Sequence, residues 1–309
     1  MVNARVVWAS GTAGTYLRTT DGGANWNAAI VPDAGSLDFR GVVAFDSDTA
    51  LLMSSGPAEQ GQARIFKTRD GGKTWTQVYH GETKGMFLDA IAFWDRQHGI
   101  ALSDPVGGKF ALITTADGGD TWKPIPAEGM PPALPKEGAF AASNSCLVVG
   151  GASEAWFATG GGGVARVFHS HDGGRTWTVI PTPVNADTAS SGIFSLAFRD
   201  ARTGIAAGGD YQKATAGAKV AITADGGRKW KPAEAPIYFS GVAFVPGTTG
   251  KDVIAVGSAG WAQSSDGGRN WTAHTERGFN AISFSPDGAG WAVGAQGVIA
   301  IYKPLTLKK

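Results

Sequence analysis

Six copies of one eight-residue turn recur along the chain, and no other feature restricts its fold as much. They read TTDGGANW (19–26), TRDGGKTW (68–75), TADGGDTW (115–122), SHDGGRTW (170–177), TADGGRKW (223–230) and SSDGGRNW (264–271). Their aspartates are Asp21, Asp70, Asp117, Asp172, Asp225 and Asp266, so successive copies stand 49, 47, 55, 53 and 41 residues apart. Self-similarity at such a period marks a repeat architecture, and each unit is long enough for about four short strands. Each copy is suited to a tight turn between two strands. The carboxylate accepts hydrogen bonds from backbone N–H groups of its own turn. The glycine pair supplies positive φ without a Cβ clash. The tryptophan opens the next strand and is large enough to fill a gap between neighbouring sheets; six of the eleven tryptophans are used this way. The Asp-Gly-Gly core never varies, so these six aspartates are expected to be structural and not catalytic.

The pattern Ser/Thr-x-Asp-Gly-Gly-x-Thr-Trp resembles the Asp box, or bacterial neuraminidase repeat. That repeat occurs in sialidases, xyloglucan-hydrolysing enzymes and the photosystem II stability/assembly-factor-like proteins. The resemblance covers the whole chain, and AFWDRQHGIALSDPVGGKF (92–110) and GIFSLAFRDARTGIAAGGDY (192–211) are most similar to the bacterial assembly-factor-like group. It implies an all-β, seven-bladed β-propeller of the sialidase-like superfamily, with the box turns between the third and fourth strands of the blades. It also implies a secreted or periplasmic location. The box speaks for fold and little for activity, because enzymes and non-enzymes both carry it.

Strands tallied from the residues agree with seven blades in one domain, 1–309. Inner strands are read at 41–45, 90–93, 139–143, 194–198, 241–244 and 281–284. Second and third strands appear seven times and the fourth, which starts at the box tryptophan, six times. Blade one therefore lacks its inner strand and blade seven its outer one. The two missing strands would both precede Met1, so roughly two dozen N-terminal residues, with any signal peptide, are expected to be missing from this sequence.

Composition removes several function classes. Lys+Arg is 27 against Asp+Glu 26, a net charge of +1, which gives no basic excess for nucleic acid. No apolar run is long enough to insert into a membrane. Cys146 is the only cysteine, so neither a disulfide framework nor a cysteine zinc cluster forms; within SNSCLVVGG it reads as a buried strand thiol. There is no nucleophile elbow or zinc-protease run, and GGGG (160–163) lacks the Lys-Ser/Thr of a phosphate loop and reads as a flexible loop tip. No cofactor is expected. HSH (169–171) sets two imidazoles on one strand face, but the sequence places no third ligand, so no metal is expected. The chain is expected to be a monomer.

The functional face follows from connectivity. The boxes join third to fourth strands, so second-to-third loops and interblade loops lie on the opposite face. Those are the segments that swell: 54–64, 103–110, 150–166 and 208–219 within blades two to five, and 31–40, 79–89 and 126–138 between blades. Enlarged loops gathered on one face mark a binding face. There the interblade loops are expected to deliver Arg40, Asp89 and Glu137, and the second-to-third loops Asp104, Lys109, Trp156, Asp210 and Tyr211. Arg40, Lys109, Trp156 and Tyr211 are the candidate ligand-binding residues. Arg40 is suited to a carboxylate and Trp156 to stacking on a sugar ring. Asp89, Asp104, Glu137 and Asp210 are the candidate catalytic residues if the chain is an enzyme, a glycoside hydrolase or polysaccharide lyase using paired carboxylates. A sialidase would carry an arginine triad and a nucleophilic tyrosine; only Arg40 and Tyr211 stand in suggestive loops. The leading expectation is a non-catalytic binding or scaffold propeller with a protein partner or glycan on the face opposite the boxes. In the assembly-factor-like group that partner is a reaction-centre subunit.

Overall fold

The computed structural model describes residues 1–303; residues 304–309 of the expected domain lie outside it. Seven antiparallel sheets, each drawn from one continuous stretch of chain, form the blades of a seven-bladed β-propeller. Among the described residues there is no α-helix, only four short 3-10 turns. Five blades have four strands, while the first and last have three. Blade one consists of Val7–Ser10, Thr15–Thr19 and Asn27–Ile30, the second, third and fourth strands of the plan; blade seven consists of Ala281–Phe284, Gly290–Val293 and Ile299–Tyr302, the first three. Among the described residues, blade one thus has no inner strand and blade seven no outer one.

Each box turn is a closed hydrogen-bond circuit. In blade two, Thr68 Oγ1 donates to Asp70 Oδ1 (2.9 Å) and accepts from the Gly72 N–H (2.9 Å), while Asp70 accepts from the Thr74 N–H (2.9 Å) and Thr74 Oγ1 (2.6 Å). The core of this circuit recurs in the other five copies. Gly71 and Gly72 sit at φ 75° and 88°, where a side chain is strained. The Thr74 hydroxyl and then its N–H hold Asp70 at a pKa of about 2. For Asp21 the Asn25 N–H leads, also to about 2. Asp172 and Asp266 reach about 2 although burial pushes them the other way. Carboxyls depressed in the folded state stabilise it above their unfolded pKa near 4, and that contribution is lost as pH falls toward 2. A thermal unfolding series is accordingly expected to show a steep fall in Tm between pH 4 and pH 2, and a flat acid limb would contradict it.

The boxes also join the blades. The second box glycine presses on the preceding blade so closely that an added Cβ would lie 2.5 Å from Tyr16 Oη at Gly72, 2.5 Å from Leu51 at Gly119, 2.7 Å from Ile100 at Gly174 and 2.5 Å from Ile205 at Gly268. The box tryptophans fill the spaces between sheets: Trp122 lies in the core shared by blades two and three, Trp177 in that of three and four. Blade one grips blade seven in the same way. A Cβ on Gly23 would lie 2.3 Å from Trp291, the rings of Trp26 and Trp291 meet edge to face at 5.5 Å, and Ala4 N–H donates to Asp287 (3.0 Å). The first box glycine donates to the turn between the inner and second strands of its own blade, as Gly71 does to Asp48 and Gly118 to Gln97. Boxes and those turns thus share one face and leave the other to the enlarged loops.

Blade four departs from the sequence reading. Its inner strand is Leu147–Gly150, not 139–143, and its second strand is Glu154–Ala158, inside the segment expected to be a loop. Residues 139–146 instead cross the hub. Arg40 Nη1 donates to the Ala141 carbonyl (3.1 Å), Asn144 exchanges two hydrogen bonds with Ile91 (2.8 and 3.0 Å), Ser143 donates to the Ser240 carbonyl (2.6 Å), and Ser145 meets Ser195 (2.7 Å). The small residues of GAFAAS suit a strand, but polar contacts to blades two, three, five and six hold this segment as a plug across the channel. Cys146 at its end is buried, and burial pushes its thiol well above the usual range, in keeping with an inert core thiol.

Candidate functional site

On the loop face, an open cleft of about 560 Å³ lies where blade three meets blade four, lined in part by Gly85, Asp104, Pro105, Leu134, Lys136 and Glu137. Its walls are the hairpin formed by Gly99–Val106 and Lys109–Thr115 and the loop leading into blade four. This hairpin turns on two residues, Gly107 and Gly108, at φ 61° and 82°; the segment 103–110 is thus long because its strands extend past the sheet, not because it is an open loop. A backbone ladder steadies the far side. Gly138 bridges Gly160, and Gly160 bridges Gly192, tying together the loops around blade four. A Cβ on Gly160 would lie 2.5 Å from the Ser191 carbonyl oxygen. The GGGG run therefore begins as a packed spacer between backbones, a correction to the flexible tip expected from composition.

Asp104 is the titratable group that faces this cleft with its charge most disfavoured. Burial raises its pKa to about 6, opposed by the Ala139 N–H that donates to Oδ1 (2.9 Å). Asp89 lies deeper, 1 % exposed, in the inner strand Leu88–Phe93. Burial first and the neighbouring Asp104 carboxylate second push it well above the carboxylate range, and its Oδ2 has no hydrogen-bond partner. The fold thus pairs Asp89 with Asp104 but leaves only Asp104 at the surface of the cleft.

Glu137 reaches the cleft wall with both oxygens engaged. Oε1 accepts from Thr159 Oγ1 (2.6 Å) and Arg166 Nε (2.8 Å); Oε2 accepts from the Leu134 N–H (2.8 Å) and from Arg166 Nη2. Arg166 also donates to the Pro132 carbonyl (3.0 Å) and lies 4.9 Å over the ring of Phe168. This two-pronged pair fixes the loop 132–137 against blade four, a positioning duty. Arg166 was not singled out from the sequence, because only the folded loop brings it to Glu137.

The remaining candidates disperse. Trp156 is corrected from loop to strand: it is 2 % exposed, donates its indole N–H to the Gly226 carbonyl (3.0 Å) and stacks on Phe198 at 4.3 Å, so it packs blade four on blade five and offers no ring to a ligand. Arg40 is on a strand, bonded to Asp38 (2.8 Å) and to the plug. Lys109 donates to the Ala127 carbonyl (2.8 Å). Asp210 caps the short turn Tyr211–Lys213 by accepting from the Gln212 N–H (3.0 Å). Tyr211 is 49 % exposed and meets Phe194 edge-on at 6.1 Å. Phe194 belongs to an aromatic group missed in the sequence, stacked on Phe140 at 3.9 Å and edge-on to Tyr238 at 4.9 Å.

No protein-family model matches the sequence, and no curated protein does. Solved structures do match in shape. One titled YCF48 bound to D1 peptide superposes with a TM-score of 0.67 at 19 % identity, covering 97 % of this chain and 90 % of that one. YCF48 from Cyanidioschyzon merolae gives 0.61 at 20 %, covering 99 % and 95 %. An ancestral GH74 enzyme gives 0.64 at 14 %, covering 94 % of this chain but 42 % of the enzyme. At these identities the likeness establishes the propeller and nothing about chemistry.

Proposed function

We propose that this chain is a non-catalytic binding propeller, working outside the cytoplasm, which takes an extended segment of a partner protein into the cleft between blades three and four. The observation that carries this reading is the cleft itself: open, walled by hairpin and loop backbone, and supplied with one carboxyl, Asp104, that is held by a single backbone N–H and by no cation. Backbone groups at a cleft edge suit the main chain of an extended peptide, and Asp104 suits a donor or basic group on it. A propeller of similar shape was solved with a peptide bound, which favours a polypeptide ligand. A two-carboxylate hydrolase would need a second free carboxyl beside Asp104. Glu137 is saturated by Arg166, Thr159 and Leu134, and Asp89 is enclosed.

The test is to pan a phage-displayed library of random dodecapeptides against the purified protein. The best binder is then measured by calorimetry with wild type, Leu134→Arg and Asp104→Ala. Saturable binding that weakens by about 10-fold or more in Leu134→Arg is the expected result, since a long charged side chain would fill the cleft. No enrichment, or binding indifferent to both substitutions, would remove the reading. Turnover on a glycan panel that disappears in Asp104→Ala would replace it with the enzyme reading.

A further inference from the structure

On the opposite face, at the outer side of blade four, three side chains converge that the sequence did not bring together. Glu154 opens the second strand of the blade, His169 lies in the third strand, Arg166–Ser170, and His171 follows it within the box turn. The strands pair with Ala155 against Ser170 and Trp156 against His169. Continuing that register sets Glu154 across from His171, and the two-residue alternation of strands puts all three side chains on one side of the sheet. His169 Nε2 stands 2.6 Å from Glu154 Oε2, and His171 Nδ1 stands 2.9 Å from Glu154 Oε1. One ligand atom from each residue lies within 4.8 Å of the others.

We propose that Glu154, His169 and His171 form a binding site for one divalent transition-metal ion of the zinc class. Two ligands held at about 2.1 Å from a tetrahedral ion stand roughly 3.4 Å apart, so the two histidine–glutamate spacings need only a small outward shift. Two imidazoles and one carboxylate suit zinc and its neighbours and not calcium or magnesium, which take oxygen ligands. Each imidazole would coordinate in its neutral form, through the nitrogen now facing the carboxylate, with its proton on the other nitrogen.

The site is built before the ion arrives. The His169 ring stacks on Trp156 at 4.5 Å with a 19° tilt, and Trp156 is itself clamped between His169 and Phe198. The indole of Trp94 donates to the Glu154 carbonyl (2.7 Å), and the Ser153 hydroxyl donates to the His171 carbonyl (2.8 Å). Ligand carriers fixed in this way lose little freedom on binding. His171 is 59 % exposed at its side chain, so the ion would keep positions open to water. An ion held here would staple the turn 150–153 to the box of blade four, on the face away from the cleft.

Calorimetric titration of untagged, chelator-stripped protein with Zn²⁺, paralleled by Co²⁺ absorption, tests this. One equivalent is expected to bind, with affinity falling by at least about 100-fold, the upper range for losing even an outer partner of a ligand, in both Glu154→Gln and His171→Ala. His98→Ala, which removes an exposed histidine paired with Asp95, is expected to change nothing. His171 is exposed, so its variant keeps the fold even should Glu154→Gln lose it. The proposal is overturned if wild type binds no stoichiometric Zn²⁺, if His171→Ala binds as tightly as wild type, or if His98→Ala abolishes binding.

Discussion

Glu137→Ala is expected to lower the unfolding free energy by about 3–5 kcal/mol, the usual consequence of removing one partner of a buried ion pair. The Glu137 side chain is 0 % exposed and that of Arg166 is 12 % exposed, so truncation strands a guanidinium whose remaining contacts are the Pro132 carbonyl and the Phe168 ring. The pair itself need not be strongly stabilising, because both charges were taken out of water to form it. The double variant Glu137→Ala/Arg166→Leu is therefore expected to recover much of the loss. Urea unfolding of the three proteins checks this. Equal stability of wild type and Glu137→Ala would mean that the pair is not closed in solution. The single variant should also loosen the loop 132–137 and with it one wall of the cleft, readable as faster amide exchange there.

Asp104→Asn is expected to act in the opposite direction. Burial raises the pKa of Asp104 in the folded state to about 6, against about 4 for an exposed aspartate, so the folded protein holds this proton more tightly than the unfolded chain. Its contribution is intact below about pH 4 and is lost as pH rises through 6. At 1.36 kcal/mol per pKa unit, the ionised carboxyl costs up to roughly 3 kcal/mol at pH 8. Asparagine keeps the oxygen that accepts from the Ala139 N–H and carries no charge. Stability is expected to rise by about 1–3 kcal/mol at pH 8 and to stay unchanged at pH 4. A gain of the same size at both pH values would show that charge is not the cause. A carboxyl kept at such a cost on the wall of an open cleft is suited to recognition, where a bound donor relieves the penalty.

Much of this molecule was legible in its residues because the box turn is a local device. Thr68, Asp70, Gly72 and Thr74 satisfy one another within seven positions, so the sequence displays the circuit, and six displays mark six of the seven blades. The plug was not legible for the opposite reason. Residues 139–143 carry a pattern that a strand would accept, and the contacts that divert them, from Asn144 to Ile91 and from Ser143 to Ser240, join residues far apart in the chain. Reading 139–143 as the inner strand made Leu147–Gly150 the second strand and left Glu154–Ala158 in a loop, while the third and fourth strands were placed correctly. It put Trp156 in a loop and hid Glu154, the third member of the histidine cluster. At the cleft, residue type found Asp104 and Glu137 together. Type alone did not tell which carboxylate is tied up, because that depends on Arg166 arriving from the next blade.

The grip of each box on the preceding blade has a direction. The box turns of blades one to six each reach backward around the wheel, while blade seven has no such turn among the described residues. The contact between blades six and seven rests instead on side chains such as Val256, Phe279 and Ala292, on the Phe279 N–H donating to the Gly257 carbonyl (3.0 Å) and on the Ser240 hydroxyl donating to the Asn280 carbonyl (2.8 Å). Among the described residues the wheel thus has one joint clasped by backbone and core contacts in place of a box, across the hub from the cleft that a partner would occupy.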